Sequence, residues 1–445
     1  MNVDRYRERR ARVMQAMVDR GGGVAVHFTA PERVRNRDSE YPYRYDSTFW
    51  YLTGFAEPDS ALVLVAHGGQ RQALLFCRDK HEEREIWDGF RYGPELAQAA
   101  FGFDAAHAIE RMDEIVPDLM ADCPALFYAL GASPALDARI QAWLQKVRAQ
   151  SRTGRRAPFV AHDLTAIVDE MRMVKDATEL ETMRRAARVS AAAHVRAMRA
   201  CRVGMREYEI EAELLHEFRR QGAQSPAYTS IVAVGPNACV LHYAASHAEA
   251  KDGDLVLIDA ACEIDGYAAD VTRTFPANGR FSAEQRAVHD VVLAAQQAAI
   301  ERVRPGQDFN AAHDAATRVL TQGLIDLGLL SGSLDGALES KSFRQFFMHK
   351  TGHWLGLDVH DVGDYREPGA AQEGGGERAW RMLAPGMVTT VEPGLYIRPA
   401  PNVDARFHHI GIRIEDDVVV TATGCEVLSV DAPKSAADIE AVMAR

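Results

Sequence analysis

The chain has 445 residues, 47% of them hydrophobic and 26% charged, a length that calls for two cores and a balance that excludes a disordered or fibrous chain. A formal net charge of -12 argues against a nucleic-acid binder, because phosphate neutralisation needs a broad basic stripe and none is present.

The start, Met1 to Arg20, is charged throughout and does not read as a signal peptide. No apolar run reaches the roughly 18 residues of a membrane-spanning helix. Short apolar runs at Gly23 to Phe28, Ala61 to Ala66 and Ala73 to Cys77 predict strands, and the helical start predicts an α/β unit. The Arg-rich patches Arg7 to Arg12 and Arg152 to Arg156 read as solvated faces or linkers. The polar, basic stretch SRTGRRAP before Phe159 marks the end of this unit, and the boundary is placed at Val174, giving domains 1–174 and 175–445.

Helical spacing then predicts helices from Thr178 to Cys201 and from Glu207 to Gln221. Ser282 with Gln285 forms a capping box that opens a third helix running to about Arg302, and a fourth spans Asn310 to Leu327. Strands are predicted at Ser230 to Val234, Leu255 to Ala260, Tyr267 to Phe275, Met387 to Val391 and Gly411 to Val420, so the second domain is α+β with antiparallel hairpins. The Gly-rich, acidic stretch 367–376 predicts a surface loop. Cys77, Cys123, Cys201, Cys239, Cys262 and Cys425 form no CxxC pair, which fits thiols of a reducing, cytoplasmic compartment.

The chemistry concentrates in four segments. DLVLIDAACEIDGYAADVTRTF puts Asp259 and Asp270 on two strands joined by a turn at Asp265 and Gly266. The odd sum of their numbers puts both on one face of an antiparallel hairpin, as a direct or diagonal pair. Two like charges that close, flanked by Ile258, Ala260 and Val271, call for a cation. Glu392 in MVTTVEPGLYI and Glu415 in IGIRIEDDVVV also end apolar runs. His349, His353 and His360 cluster in FMHKTGHWLGLDVHDVG, with His242 upstream in VLHYAAS. The i, i+4 spacing of His349 and His353 is not read as a helical zinc pair, since Thr351, Gly352 and Gly356 weaken a helix and no HExxH follows. Four carboxylates and one imidazole make a hard, oxygen-rich set suited to two Mn²⁺-like ions, a hydrolytic centre.

These segments, together with DSEYPYRYDSTFWYLTGFAEPDS near the N-terminus, resemble the pita-bread metallopeptidases and, within them, the aminopeptidase P branch. The resemblance spans nearly the whole chain. It implies a pita-bread (creatinase/aminopeptidase) catalytic domain of α+β class behind a smaller α/β creatinase-like domain. It implies the metal ligands Asp259, Asp270, His353, Glu392 and Glu415, holding two divalent ions, Mn²⁺ first and Co²⁺ or Zn²⁺ as alternatives. A metal-bridging water would attack the bond before proline in peptides with N-terminal Xaa-Pro, with Glu392, His360 and His242 as catalytic groups. His242, His349, His360, Arg413, Tyr228 and Tyr396 would line the substrate pocket, and Trp87 would reach the active site of a neighbouring subunit in a homo-oligomer, a dimer or tetramer. Prolidase, which shares the five ligands but cleaves only dipeptides, is the competing enzyme. A non-catalytic peptide binder is disfavoured because no ligand is missing, and a mononuclear iron oxygenase would leave three buried acids unexplained.

Overall fold

The computed structural model describes residues 3–369 and 377–444. Most of the expected acidic Gly-rich loop, residues 370–376, therefore lies outside the described residues. The chain divides into two compact units, Met1–Met171 and Arg172–Arg445. Among the described residues no helix is long and apolar enough to cross a membrane.

The first unit is built on a six-stranded mixed sheet with spatial order Ala105–Ala108, Gln70–Cys77, Ala61–His67, Gly23–Phe28, Ala125–Tyr128 and Val160–Asp163. Val24, Val63, Leu74, Phe76 and Leu126 pack with Ile140, Trp143 and Val147 of the helix Pro134–Arg148 into one core. The first Arg-rich patch keeps Arg7 and Arg12 on its expected solvated face but departs from it at two positions. Arg9 and Arg10 are buried, because the helix Val3–Val18 turns them onto backbone carbonyls that need donors. Arg10 donates to the carbonyls of Leu52, Phe101 and Gly102, and Arg9 stacks over the Tyr51 ring at 3.9 Å.

The second unit joins long helices to short antiparallel sheets. Its helices Ala177–Ala200, Glu207–Arg220, Ala283–Ile300 and Asn310–Asp326 fall where the sequence puts them. Local capping fixes the start of the third: Ser282 accepts from the Gln285 amide, and the Gln285 side chain takes the Ser282 amide. Val292, Ala295 and Ala299 of the third helix share a core with Leu320 and Leu324 of the fourth. A Cβ at Gly323 would meet Val291 at 2.3 Å, so only glycine allows this close helix approach.

Two predicted strands are broken. The expected Tyr267 to Phe275 strand is two pieces, Tyr267–Ala268 and Thr272–Pro276, and Gly411 to Val420 is likewise Ile410–Arg413 and Asp416–Val420. The pieces belong to different sheets. Each break contains a candidate ligand, Asp270 in one and Glu415 in the other, and at each the chain leaves one ladder to enter the next. The Glu415 amide bonds the Thr272 carbonyl at 3.1 Å, while the Asp270 amide points to the Asp417 carboxylate at 3.1 and 3.2 Å.

Candidate metal centre

Asp259 ends the strand Leu255–Asp259, whose antiparallel partner places Thr272 opposite it. Asp270 lies two residues before Thr272, which makes it the diagonal neighbour of Asp259. Both carboxylates accept from the Tyr228 hydroxyl, at 2.7 Å from Asp259 Oδ1 and 2.6 Å from Asp270 Oδ1.

His353 is carried by the irregular segment before Trp354, which runs beside the strand Val388–Val391. A Cβ at Gly352 would sit 2.2 Å from the Thr390 carbonyl, so glycine lets the two backbones close up just before His353. The ring is oriented by Nδ1, which donates to the Trp354 carbonyl at 2.9 Å. Nε2 is then the face turned to the acids, 3.4 Å from Asp270 and 3.8 Å from Glu392. A carbonyl-bound Nδ1 with Nε2 directed at acids is the orientation of a metal-binding imidazole. Glu392 follows the same strand, held by its amide on the Thr351 carbonyl at 2.8 Å. Donor atoms from Asp270, His353 and Glu415 all lie within 4.8 Å of one another.

The electrostatics of this group are lopsided. Burial, then Asp270, Glu392 and Asp259, push the Glu415 carboxyl well above the usual range. Burial raises Glu392 to about 7 against the pull of His353 and Arg413, and it raises Asp259 despite Arg413. Burial alone would depress His353, yet Asp270 and Glu392 hold its imidazolium up to about 9. The protein's own charges therefore leave an excess of anion here, which the chain can relieve only by binding protons. Hard oxygen donors around one imidazole and an unmet demand for positive charge fit divalent cations.

Around this core stands a continuous hydrogen-bonded rim. Arg413 donates to Asp259 Oδ2 at 2.6 Å, to the Tyr396 hydroxyl at 3.0 Å and to Thr272 Oγ1 at 3.2 Å. Thr272 in turn donates to Glu415 Oε2 at 2.6 Å. His349 Nδ1 bonds the Lys350 carbonyl, so its Nε2 accepts from the Tyr396 hydroxyl at 2.9 Å, and burial lowers this imidazole to about 4. His360 packs against His353 with ring centroids 4.2 Å apart. His242 is exposed, near enough for its charge to bear on both His349 and His360.

Asp259, Asp270, His353, Glu392 and Glu415 thus lie together, with Tyr228, Arg413, Tyr396 and His349 in the hydrogen-bonded rim, His360 against His353 and His242 exposed beyond them. Trp87 belongs to the first unit, on the helix Glu82–Asp88, which has no buried residue, and is 86% exposed. Thr272 and Asp417 were not singled out in the sequence. Thr272 shares a strand face with Asp270 by the i, i+2 rule, and the acidic run at Glu415 to Asp417 ahead of three valines is itself an unusual signal.

Two sequence profiles match the chain: Metallopeptidase family M24 over residues 181–422 and Aminopeptidase P, N-terminal domain, over residues 6–128. The chain is 43% identical over 432 residues to the Xaa-Pro aminopeptidase of Escherichia coli (strain K12), with 96% of each chain covered. Its structure is similar to that of aminopeptidase PepP from Pseudomonas aeruginosa, with a TM-score of 0.95, 48% identity, and 100% of this chain and 98% of that one covered. Zn-substituted Escherichia coli aminopeptidase P in complex with product aligns with a TM-score of 0.93 and 41% identity, covering 100% and 98%. Matched along both units, in sequence and in fold, the chain belongs to metallopeptidase family M24, as a pita-bread hydrolase preceded by an aminopeptidase P N-terminal domain.

Proposed function

We propose that this chain is an aminopeptidase with two divalent ions that removes the first residue from peptides whose second residue is proline. The observation carrying the reading is the meeting of Asp270, His353 and Glu415 within 4.8 Å, with Asp259 and Glu392 beside them and too little protein cation to balance them. Asp259, Asp270, His353, Glu392 and Glu415 would hold the metals, and oxygen-rich coordination favours Mn²⁺, with Co²⁺ and Zn²⁺ as substitutes. When bound, the ions supply Lewis acidity and lower the pKa of water.

The remaining work falls to the chain. Glu392, 3.8 Å from His353 Nε2 at the edge of the acid cluster, is the chain's candidate for taking and returning a proton. His360, beside His353, is placed to steady the developing oxyanion, with His242 closing the same side. Arg413 and Tyr228 fix the aspartates, whose carboxylates attract a free substrate amine and so favour an exopeptidase. His349 and Tyr396 form a neutral, ring-lined wall suited to proline, whose amide carries no N–H donor. We assign residues 1–174 to the creatinase-like domain and 175–445 to the catalytic domain. We further assign the protein to the cytoplasm, in keeping with six unbonded cysteines, and to a homo-oligomer in which the exposed Trp87 reaches a neighbour's site. The 96% coverage by an Xaa-Pro aminopeptidase, first unit included, supports this activity over a dipeptidase.

The deciding assay compares an Xaa-Pro tripeptide with an Xaa-Pro dipeptide after chelation and restoration of each metal. Turnover of the tripeptide should return with Mn²⁺. Asp259→Asn, His353→Ala and Glu392→Gln should each lower it by about 10²- to 10⁴-fold or more while the chain stays folded. Undiminished cleavage by all three variants would overturn the assignment, and cleavage of dipeptides alone would make the enzyme a prolidase.

A further inference from the structure

Behind the metal centre lies a second buried charge cluster that the reaction does not use. Arg273 and Asp416 have side chains 1% and 0% exposed and pair at 2.7 Å. Asp416 also accepts from Lys434 Nζ at 2.6 Å, Gln296 Nε2 at 2.7 Å and Ser429 Oγ at 2.7 Å. Every side of the Arg273 guanidinium is engaged. Nη1 donates to the Glu415 carbonyl at 2.6 Å and the Thr272 carbonyl at 2.8 Å, and Nη2 donates to Asp416 and, at 2.9 Å, to the Ala432 carbonyl. Nε points between the carbonyls of Pro433 at 3.1 Å and Ala432 at 3.3 Å.

We propose that Arg273 is a positioning residue for the metal centre, gripping the backbone of Thr272 and Glu415 so that the Glu415 carboxylate is held in ligand geometry. This rests on the reading of Glu415 as a ligand. Stability alone does not account for the arrangement, since an apolar replacement for a buried ion pair is often as stable or more so. What an apolar residue could not do is occupy the carbonyl that the strand break leaves outside the ladder. Glu415 sits in the two-residue gap between Ile410–Arg413 and Asp416–Val420, and Arg273 takes the carbonyl there. A planar fork with five donors reaches both Glu415 and Thr272 while still neutralising Asp416, and a lysine has neither the plane nor the reach. The cluster extends to the other break as well. Ser429 Oγ accepts from the Asp417 amide at 3.2 Å, and the Asp417 carboxylate holds the Asp270 amide. One buried network thus anchors both points at which acidic ligands leave their strands.

The test is Arg273→Lys, which keeps the charge opposite Asp416 and removes the fork. Mn²⁺ is titrated by calorimetry into the chelator-stripped full chain. Binding should weaken by about 10- to 100-fold, with a cooperative thermal transition and, at saturating Mn²⁺, an unchanged KM for an Xaa-Pro tripeptide. A folded Arg273→Lys protein binding Mn²⁺ within about twofold of the parent overturns the proposal. Should that variant not fold, Ser429→Ala, which takes one of four donors from Asp416 and the acceptor from the Asp417 amide without removing a charge, should weaken Mn²⁺ binding about fivefold, and parental affinity there overturns it equally. Leu320→Ala, a core truncation in the helix Asn310–Asp326, is the control for general destabilisation: it should leave Mn²⁺ affinity as in the parent, and an equal loss there reduces Arg273 to a structural residue. Glu415→Gln separates the two readings. Parental Mn²⁺ binding by Glu415→Gln sinks the ligand assignment itself, whereas weak binding by Glu415→Gln beside parental binding by Arg273→Lys sinks only the positioning role.

Discussion

Glu415 and Asp416 are adjacent in sequence and equally buried, yet their surroundings drive them in opposite directions. Glu415 faces Asp270, Glu392 and Asp259, and burial together with those acids raises its carboxyl well above the ordinary range. Asp416 suffers the same burial, but Arg273 and Lys434 outweigh it and hold the carboxyl low. Because successive residues of an extended chain face opposite ways, one peptide bond separates a carboxylate the protein has neutralised itself from one it leaves crowded among other acids. Burial therefore does not mark a functional acid. The balance of charge around it does.

The sharpest way to break this comparison is to remove the neutralised acid. Asp416→Ala leaves Arg273 buried without its carboxylate and should cost about 3–5 kcal/mol, read as a lower urea midpoint of the metal-free protein. A cost near zero would mean that the Arg273 cluster is not the self-compensated region described here.

Asp361 extends the comparison to another compensated acid. It is bonded to Arg172 at 2.7 Å and Lys175 at 3.0 Å, and these two cations lower its carboxyl against the effect of burial. A carboxyl depressed in the fold contributes stability that is complete above its unfolded pKa of about 3.9 and is lost as pH falls through the folded value beneath it. Asp361→Asn should therefore cost about 1.5–3 kcal/mol at neutral pH, and the gap between parent and variant should close in acid. Denaturant titrations from pH 7 downward check this, and a gap that stays constant to the lowest pH contradicts it.

The smallest effect has the opposite sign. Glu415→Gln removes one of the crowded, uncompensated acids, so the metal-free protein should gain about 0.5–2 kcal/mol even as Mn²⁺ binding is lost. Thermal melts in chelator measure it. A lower melting temperature would show that the ligand cluster is not under electrostatic strain without metal.

Much of this molecule can be read locally. The capping box at Ser282 and Gln285, the helix that follows it, and the apolar strand runs each depend on residues a few positions apart, and they appear as expected. The ligand candidates were legible for a similar reason, since acids and histidines inside apolar or Gly-punctuated segments are anomalous within their own windows. The breaks at Asp270 and Glu415 were not legible, because nothing in TRTF or IEDD says where one ladder ends and another sheet begins. Nor was the burial of Arg9 and Arg10, whose partners at Tyr51, Leu52 and Phe101 lie 42 to 91 residues away.

The sequence by itself determined which residues are chemically out of place: four acids at the ends of apolar runs, a histidine cluster with no helix to explain it, and motifs that mark a metallopeptidase. Only the tertiary structure decided which acids share a charge and which are already neutralised. Arg273 and Asp416 stand 143 residues apart, as do Thr272 and Glu415, and electrostatic energy depends on distance in space, which the order of residues along the chain does not reveal.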